Sequence, residues 1–100
     1  MLIRSQNKEY LCNIKAVYGV SYQETHDFER GKVEKTNHEI CVDTGVVDSI
    51  GVYSTKEKAL KVLDMIQQAY CKSFEKKKDN YVVHRYNLVF QMPKDEEVEE

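Results

Sequence analysis

Three histidines and three cysteines are the side chains in this 100-residue chain best suited to holding a metal or to nucleophilic catalysis. His38 and Cys41 form the one close pair, with Cys12, Cys71, His26 and His84 as distant partners. Structural zinc sites draw ligands from tight knuckles of the Cys-x-x-Cys kind. The cysteines here stand about thirty residues apart. A thiolate beside an imidazole makes a nucleophilic pair, but only folding could assemble one from these positions. Four glycines, and no G-x-S-x-G, H-E-x-x-H or phosphate-loop pattern, leave no catalytic signature. The expectation is therefore a non-catalytic protein without metal or cofactor, its thiols reduced and mostly in the core.

Aromatic and basic side chains offer a second chemistry. Tyr10, Tyr18, Tyr22, Tyr81 and Tyr86, five of the seven tyrosines, fall in strand-like segments. There they can anchor a partner or stack on bases, although strand propensity accounts for them equally. Tyr18, Tyr22, His26, Arg30, Tyr81, Arg85 and Tyr86 are the candidate binding residues. With Lys72, Lys76, Lys77 and Lys78 they would make a platform for a nucleotide or a single-stranded nucleic acid. The charge balance argues for the other use. Residues 94–100 carry five carboxylates against Lys94, so with a whole-chain charge of −2, residues 1–93 sum to only +2. Such a body supplies no general attraction for a polyanion. His84 alternates with apolar neighbours and reads as an inward histidine.

The elements that must position these groups are legible from periodicity. Tyr10, Cys12, Ile14, Ala16, Tyr18, Val20 and Tyr22 alternate with polar residues, which predicts a half-buried strand broken near Asn13 or Gly19. Residues 23–37 are polar, with seven charges and Arg30-Gly31 at the middle, and predict a long connection or mobile loop. Glu39 to Val42, the turn Asp43-Thr44-Gly45, and Val46 to Tyr53 predict an antiparallel pair. Ser54-Thr55-Lys56-Glu57 has capping-box spacing, and Ala59, Leu63, Ile66 and Tyr70 form an apolar stripe. The predicted helix covers about residues 55–74, and a final strand about residues 81–92, closed by Pro93.

The fold class is thus α+β: an antiparallel sheet or partly closed barrel of about four to six strands, covered on one face by one amphipathic helix. One domain, residues 1–93, is expected, with residues 94–100 as a disordered acidic tail. No apolar run reaches membrane-spanning length and the opening residues turn polar too soon for a signal peptide, which predicts a cytoplasmic protein.

Three blocks, in order, carry a resemblance. They are Met1-Leu2-Ile3-Arg4-Ser5-Gln6, then Tyr53-Ser54-Thr55-Lys56-Glu57-Lys58-Ala59-Leu60-Lys61-Val62-Leu63-Asp64-Met65-Ile66-Gln67, then Phe90-Gln91-Met92-Pro93. Together they resemble short uncharacterised proteins of Gram-positive bacteria, their phages and prophages. The resemblance attaches no activity to any residue. It implies an intracellular protein of a mobile element or its host, and by association a role in binding, such as blocking a host defence complex. The function expected is that of an interaction protein whose 23–37 segment and strand tyrosines meet a host or defence protein or a second copy. The alternative is a nucleotide or single-stranded nucleic-acid binding module.

Overall fold

The structure, a computed structural model, describes residues 1–76, 82–84 and 88–100. Short strands β1 (Leu2–Arg4) and β2 (Leu11–Asn13) open the chain, followed by a 3-10 turn at Ile14–Ala16. The long strands β3 (Gly19–Glu29) and β4 (Lys32–Asp43) come next, then β5 (Val47–Tyr53) and helix α1 (Lys56–Lys72). Strands β6 (Phe74–Lys76), β7 (Val82–His84) and β8 (Val89–Gln91) lead to a second 3-10 turn at Asp95–Glu97. Among the described residues, no helix is long and apolar enough to cross a membrane.

The class is α+β, with sheet covered by one helix. The strands form three sheets in the orders β2-β1-β8, β3-β4-β5 and β6-β7, and the described residues close no barrel. Pairing is antiparallel except between β1 and β8, which run parallel and bring the two ends of the chain together. The strand expected over residues 81–92 is not one element. Val82–His84 pairs with β6, whereas Val89–Gln91 adds to β1. Period-two alternation reports a pleat and cannot report that successive segments join different sheets.

The core lies where α1 crosses the base of the β3-β4-β5 sheet. Ala59, Val62 and Ile66 are fully buried with Ile40, Val42, Ile50 and Tyr53, and Ile3, Cys12 and Met92 extend the cluster. Gly51 sits in this layer because a Cβ there would stand 3.0 Å from both Met92 Cε and the Tyr53 ring. The helix begins one residue later than the capping-box spacing suggests. Thr55 is the N-cap, its Oγ1 accepting from Lys58 N at 3.1 Å. Ser54 is engaged elsewhere: its N–H and hydroxyl donate to Asp95 Oδ1 at 2.8 and 3.1 Å. The helix ends at Lys72 with Ser73 as cap, so Phe74, expected on the helix, opens β6. Cys71, expected near the core, is exposed; Cys12 and Cys41 are buried.

The acidic end is packed, contrary to the disordered tail its charge suggests. Tyr53 donates its hydroxyl proton to Pro93 O at 2.8 Å, and Lys58 Nζ lies 3.7 Å from Asp95 Oδ2. Thr55 Oγ1 donates to a Glu100 carboxylate oxygen, and Val98 is buried in the core. Asp95 and Glu100 thus bring two carboxylates to the helix N-terminus, where the macrodipole favours them. One valine among them supplies the apolar anchor that a charge count overlooks.

Candidate functional site

Residues 23–37 are not a loop. They are the distal halves of β3 and β4, paired Gln23↔Glu39 through Glu29↔Lys32, with one irregularity after Asp27. Arg30 and Gly31 form the two-residue connection with φ of 53° and 78°. Left-handed conformation at both positions gives the turn whose twist matches that of paired strands. Glycine takes it without steric cost, and the turn rather than a hydrophobic run pins the hairpin. β5 pairs with β4 only from His38 onward. Beyond that row the ribbon has, among the described strands, no third strand, and it projects as an arm from a molecule of 63 × 31 × 20 Å.

One face of this arm carries a stripe of rings. Along β3 it runs through Val20, Tyr22, Glu24, His26 and Phe28, opposite Val42, Ile40, His38, Thr36 and Val33 of β4. At the base, the Tyr22 hydroxyl and His38 Nδ1 are 2.8 Å apart, their rings stack with centroids 6.1 Å apart, and Lys56 Nζ lies 5.5 Å from the Tyr22 ring centre. Packing first, then the Glu24 and Glu57 carboxylates, raise the Tyr22 phenol above its usual range. Farther out, His26 Nδ1 is 3.0 Å from Thr36 Oγ1, and its ring meets Phe28 edge to face at 6.2 Å between centroids. Phe28 and Val33, cross-strand partners beside the turn, are 65% and 53% exposed. Two apolar side chains held together in water at a ribbon's end contribute little to a core they do not reach.

Of the candidate binding residues, the structure brings Tyr22 and His26 onto this one face. Tyr18, 85% exposed, precedes the base of β3, and Arg30 is at the tip, about 40 Å away at the rise of an extended strand. They do not converge. Tyr81, Arg85 and Tyr86 lie outside the described residues. Phe28 and Val33 of the stripe, and Lys56 of α1 above Tyr22, are not among the residues the sequence singles out; His38 is, as a metal-ligating partner of Cys41, and the structure sets it beside Tyr22 instead. The signal available was local: Phe28 and Val33 bracket a four-residue turn segment centred on Arg30-Gly31. Its charged surroundings mask the alternation.

His38 and Cys41, three apart on a strand, face opposite sides of β4, and the described residues hold no group of three metal-ligating side chains. A recess of about 240 Å³ lies between residues 5–10 and β5, lined by Ser5, Gln6, Asn7 and Tyr10 on one side and Ser49 to Val52 on the other. Its amide is committed: Gln6 accepts from Val52 N at 2.9 Å and donates to Val52 O and Pro93 O at 3.1 and 3.2 Å. A cleft of about 270 Å³ between α1 and β3 is lined by Ile14, Val20, Leu63, Ile66, Gln67 and Tyr70 and is mainly apolar. Compared with protein-family models, curated proteins and solved structures, the chain matches none.

Proposed function

We propose that the protein is a non-catalytic interaction protein and that the β3–β4 arm is the element it offers to its partner. One observation carries this reading: the distal half of the arm keeps strand geometry and exposes Phe28 and Val33 together, with no described strand or helix over them. A two-stranded ribbon alone in water is marginal and gains stability when a further strand or an apolar surface covers it. Extended edges and apolar pairs of this kind are what partner chains use for strand addition.

Charge favours a protein over a nucleic acid. Glu24, Asp27, Glu29 and Glu34 outnumber Arg30, Lys32 and Lys35 on residues 23–37, so a phosphate backbone meets net repulsion there. The resemblance to phage and prophage proteins directs the search for partners to host and defence proteins. The test is retention of Gram-positive host proteins by the immobilised wild-type chain and by a Phe28→Ser/Val33→Ser variant. The reading expects a protein retained in near-stoichiometric amount by the wild type and lost by the variant. It is overturned if the variant retains the same protein, or if the wild type neither retains a protein nor associates with itself.

A further inference from the structure

The two edges of the β3-β4-β5 sheet are treated differently. The outer edge of β5 is occupied: Gln6 N donates to Ile50 O at 2.8 Å, and the Gln6 amide takes both backbone groups of Val52. β3 forms the opposite edge, and no described strand lies against it. It runs eleven residues, Gly19–Glu29, without proline or lysine; its charged side chains are Glu24, Asp27 and Glu29, and its pairing with β4 has one irregularity after Asp27.

We infer that this edge pairs with the same edge of a second copy, antiparallel, about a two-fold axis through Thr25, giving a continuous sheet β5-β4-β3-β3-β4-β5. The inference rests on the reading of the arm as the binding element and names its occupant. Any two-fold between antiparallel strands must be centred on a residue, because only then do positions of equal parity meet and outward N–H groups face outward carbonyls. That leaves few registers, and the side chains separate them. Centring on Thr25 sets Tyr22 against Phe28 of the second copy, Glu24 against its His26, and Thr25 against its Thr25. By symmetry each unlike contact forms twice. The stripe Tyr22, Glu24, His26, Phe28 is thus its own complement: ring to ring and carboxylate to imidazole, with a threonine pair on the other face. Centring on Glu24 or Asp27 opposes like carboxylates. Centring on His26 sets Glu24 against Phe28, and centring on Gln23 sets Tyr22 against Glu24. The Thr25 register covers the exposed Phe28 ring with an aromatic partner, the Tyr22 that Lys56 already overlies, while pairing Glu24 with an imidazole rather than with a carboxylate.

Sedimentation and cross-linking test this. The wild-type chain should sediment as a dimer that dissociates on dilution. His26→Glu places carboxylate against carboxylate twice and should weaken association about tenfold or more. Adding Glu24→His to His26→Glu inverts the pair and should restore it, with circular dichroism confirming that each variant is folded. In a Cys71→Ser background, oxidation should cross-link Thr25→Cys to its own copy and leave Ser21→Cys without a cross-link, since Ser21 faces Glu29. A monomer at every concentration overturns the inference. So does a dimer indifferent to His26→Glu that Thr25→Cys fails to cross-link. If the chain is monomeric yet loses a retained host protein on Phe28→Ser/Val33→Ser substitution, the inference falls while the arm's role stands. If neither association nor retention is seen, both fall.

Discussion

The base and the distal arm of the β3–β4 ribbon share one hydrogen-bond ladder and differ in almost everything else. At the base, Ile40 and Val42 are fully buried under α1, β5 lies alongside, and Tyr22 is held between His38 and Lys56. In the arm the same strands continue past the helix with Thr25, His26, Phe28 and Val33, and the apolar residues among them stay in water. β3 pairs with β4 through both halves, but the base gains β5 and burial while the arm has neither and carries one irregularity after Asp27. Ladder bonds exchanged with water contribute little net stability, so the base anchors the fold and the arm depends on whatever covers it.

Ile40→Ala and Val33→Ala, one on each half of β4, should break the comparison most sharply. Ile40→Ala should cost about 2–5 kcal/mol, because it empties a filled position in the core. Val33→Ala should cost less than about 0.5 kcal/mol in the uncovered monomer. Denaturant midpoints of the two variants check this, and equal losses would mean the arm is part of the folding core. Gly51→Ala comes next, at about 1–3 kcal/mol, since its methyl must displace Met92 or the Tyr53 ring beneath α1.

Asp95→Ala should cost about 1 kcal/mol, discounted for the carboxylate's partial exposure, by removing the acceptor of two Ser54 bonds. Those bonds, the backbone one foremost, and Lys58 hold the Asp95 carboxyl below its usual range. A group whose folded value is depressed stabilises the fold above its unfolded pKa. That contribution is lost as pH falls through the folded value, so the difference between wild type and variant should shrink on acidification. The smallest effect is chemical. Burial raises the Cys12 and Cys41 thiols, and Cys71 is exposed, so a thiol reagent should label Cys71 quickly and the other two only when the core opens.

The sequence disclosed the base better than the arm for the same physical reason. Burial writes periodicity: of the predicted stripe, Ala59 and Ile66 are buried and Leu63 and Tyr70 half-buried, with Val62 completing the helix face, and Ile40 and Val42 mark the covered strand. The break expected near Asn13 or Gly19 spans the stretch between β2, which ends at Asn13, and β3, which begins at Gly19; the Asp43-Thr44-Gly45 turn and the strand ending at Tyr53 are legible from turn residues and alternation. The arm has no buried face, so residues 23–37 read as a loop. Only the Arg30-Gly31 turn betrays it, since strand pairing there is specified by turn geometry rather than by apolar alternation. The acidic end failed to declare itself because its order rests on Val98 and on long-range bonds from Asp95 to Ser54, neither visible in a local window. Of the candidate binding residues, Tyr22 and His26 share the stripe because both lie on one strand at even spacing. Tyr18 and Arg30 were grouped with them by residue type alone.

Residue-resolved amide hydrogen exchange along β3 and β4 tests the central claim most directly, comparing the wild type at rising concentration with the His26→Glu variant. The account predicts slow exchange at Ile40 and Val42 under all conditions. Exchange at Thr25, His26 and Thr36 should be fast in the dilute or substituted monomer and slow as copies associate. Arm amides as protected as the base in a dilute monomer would show a self-sufficient ribbon and contradict the claim that the arm is built to be covered.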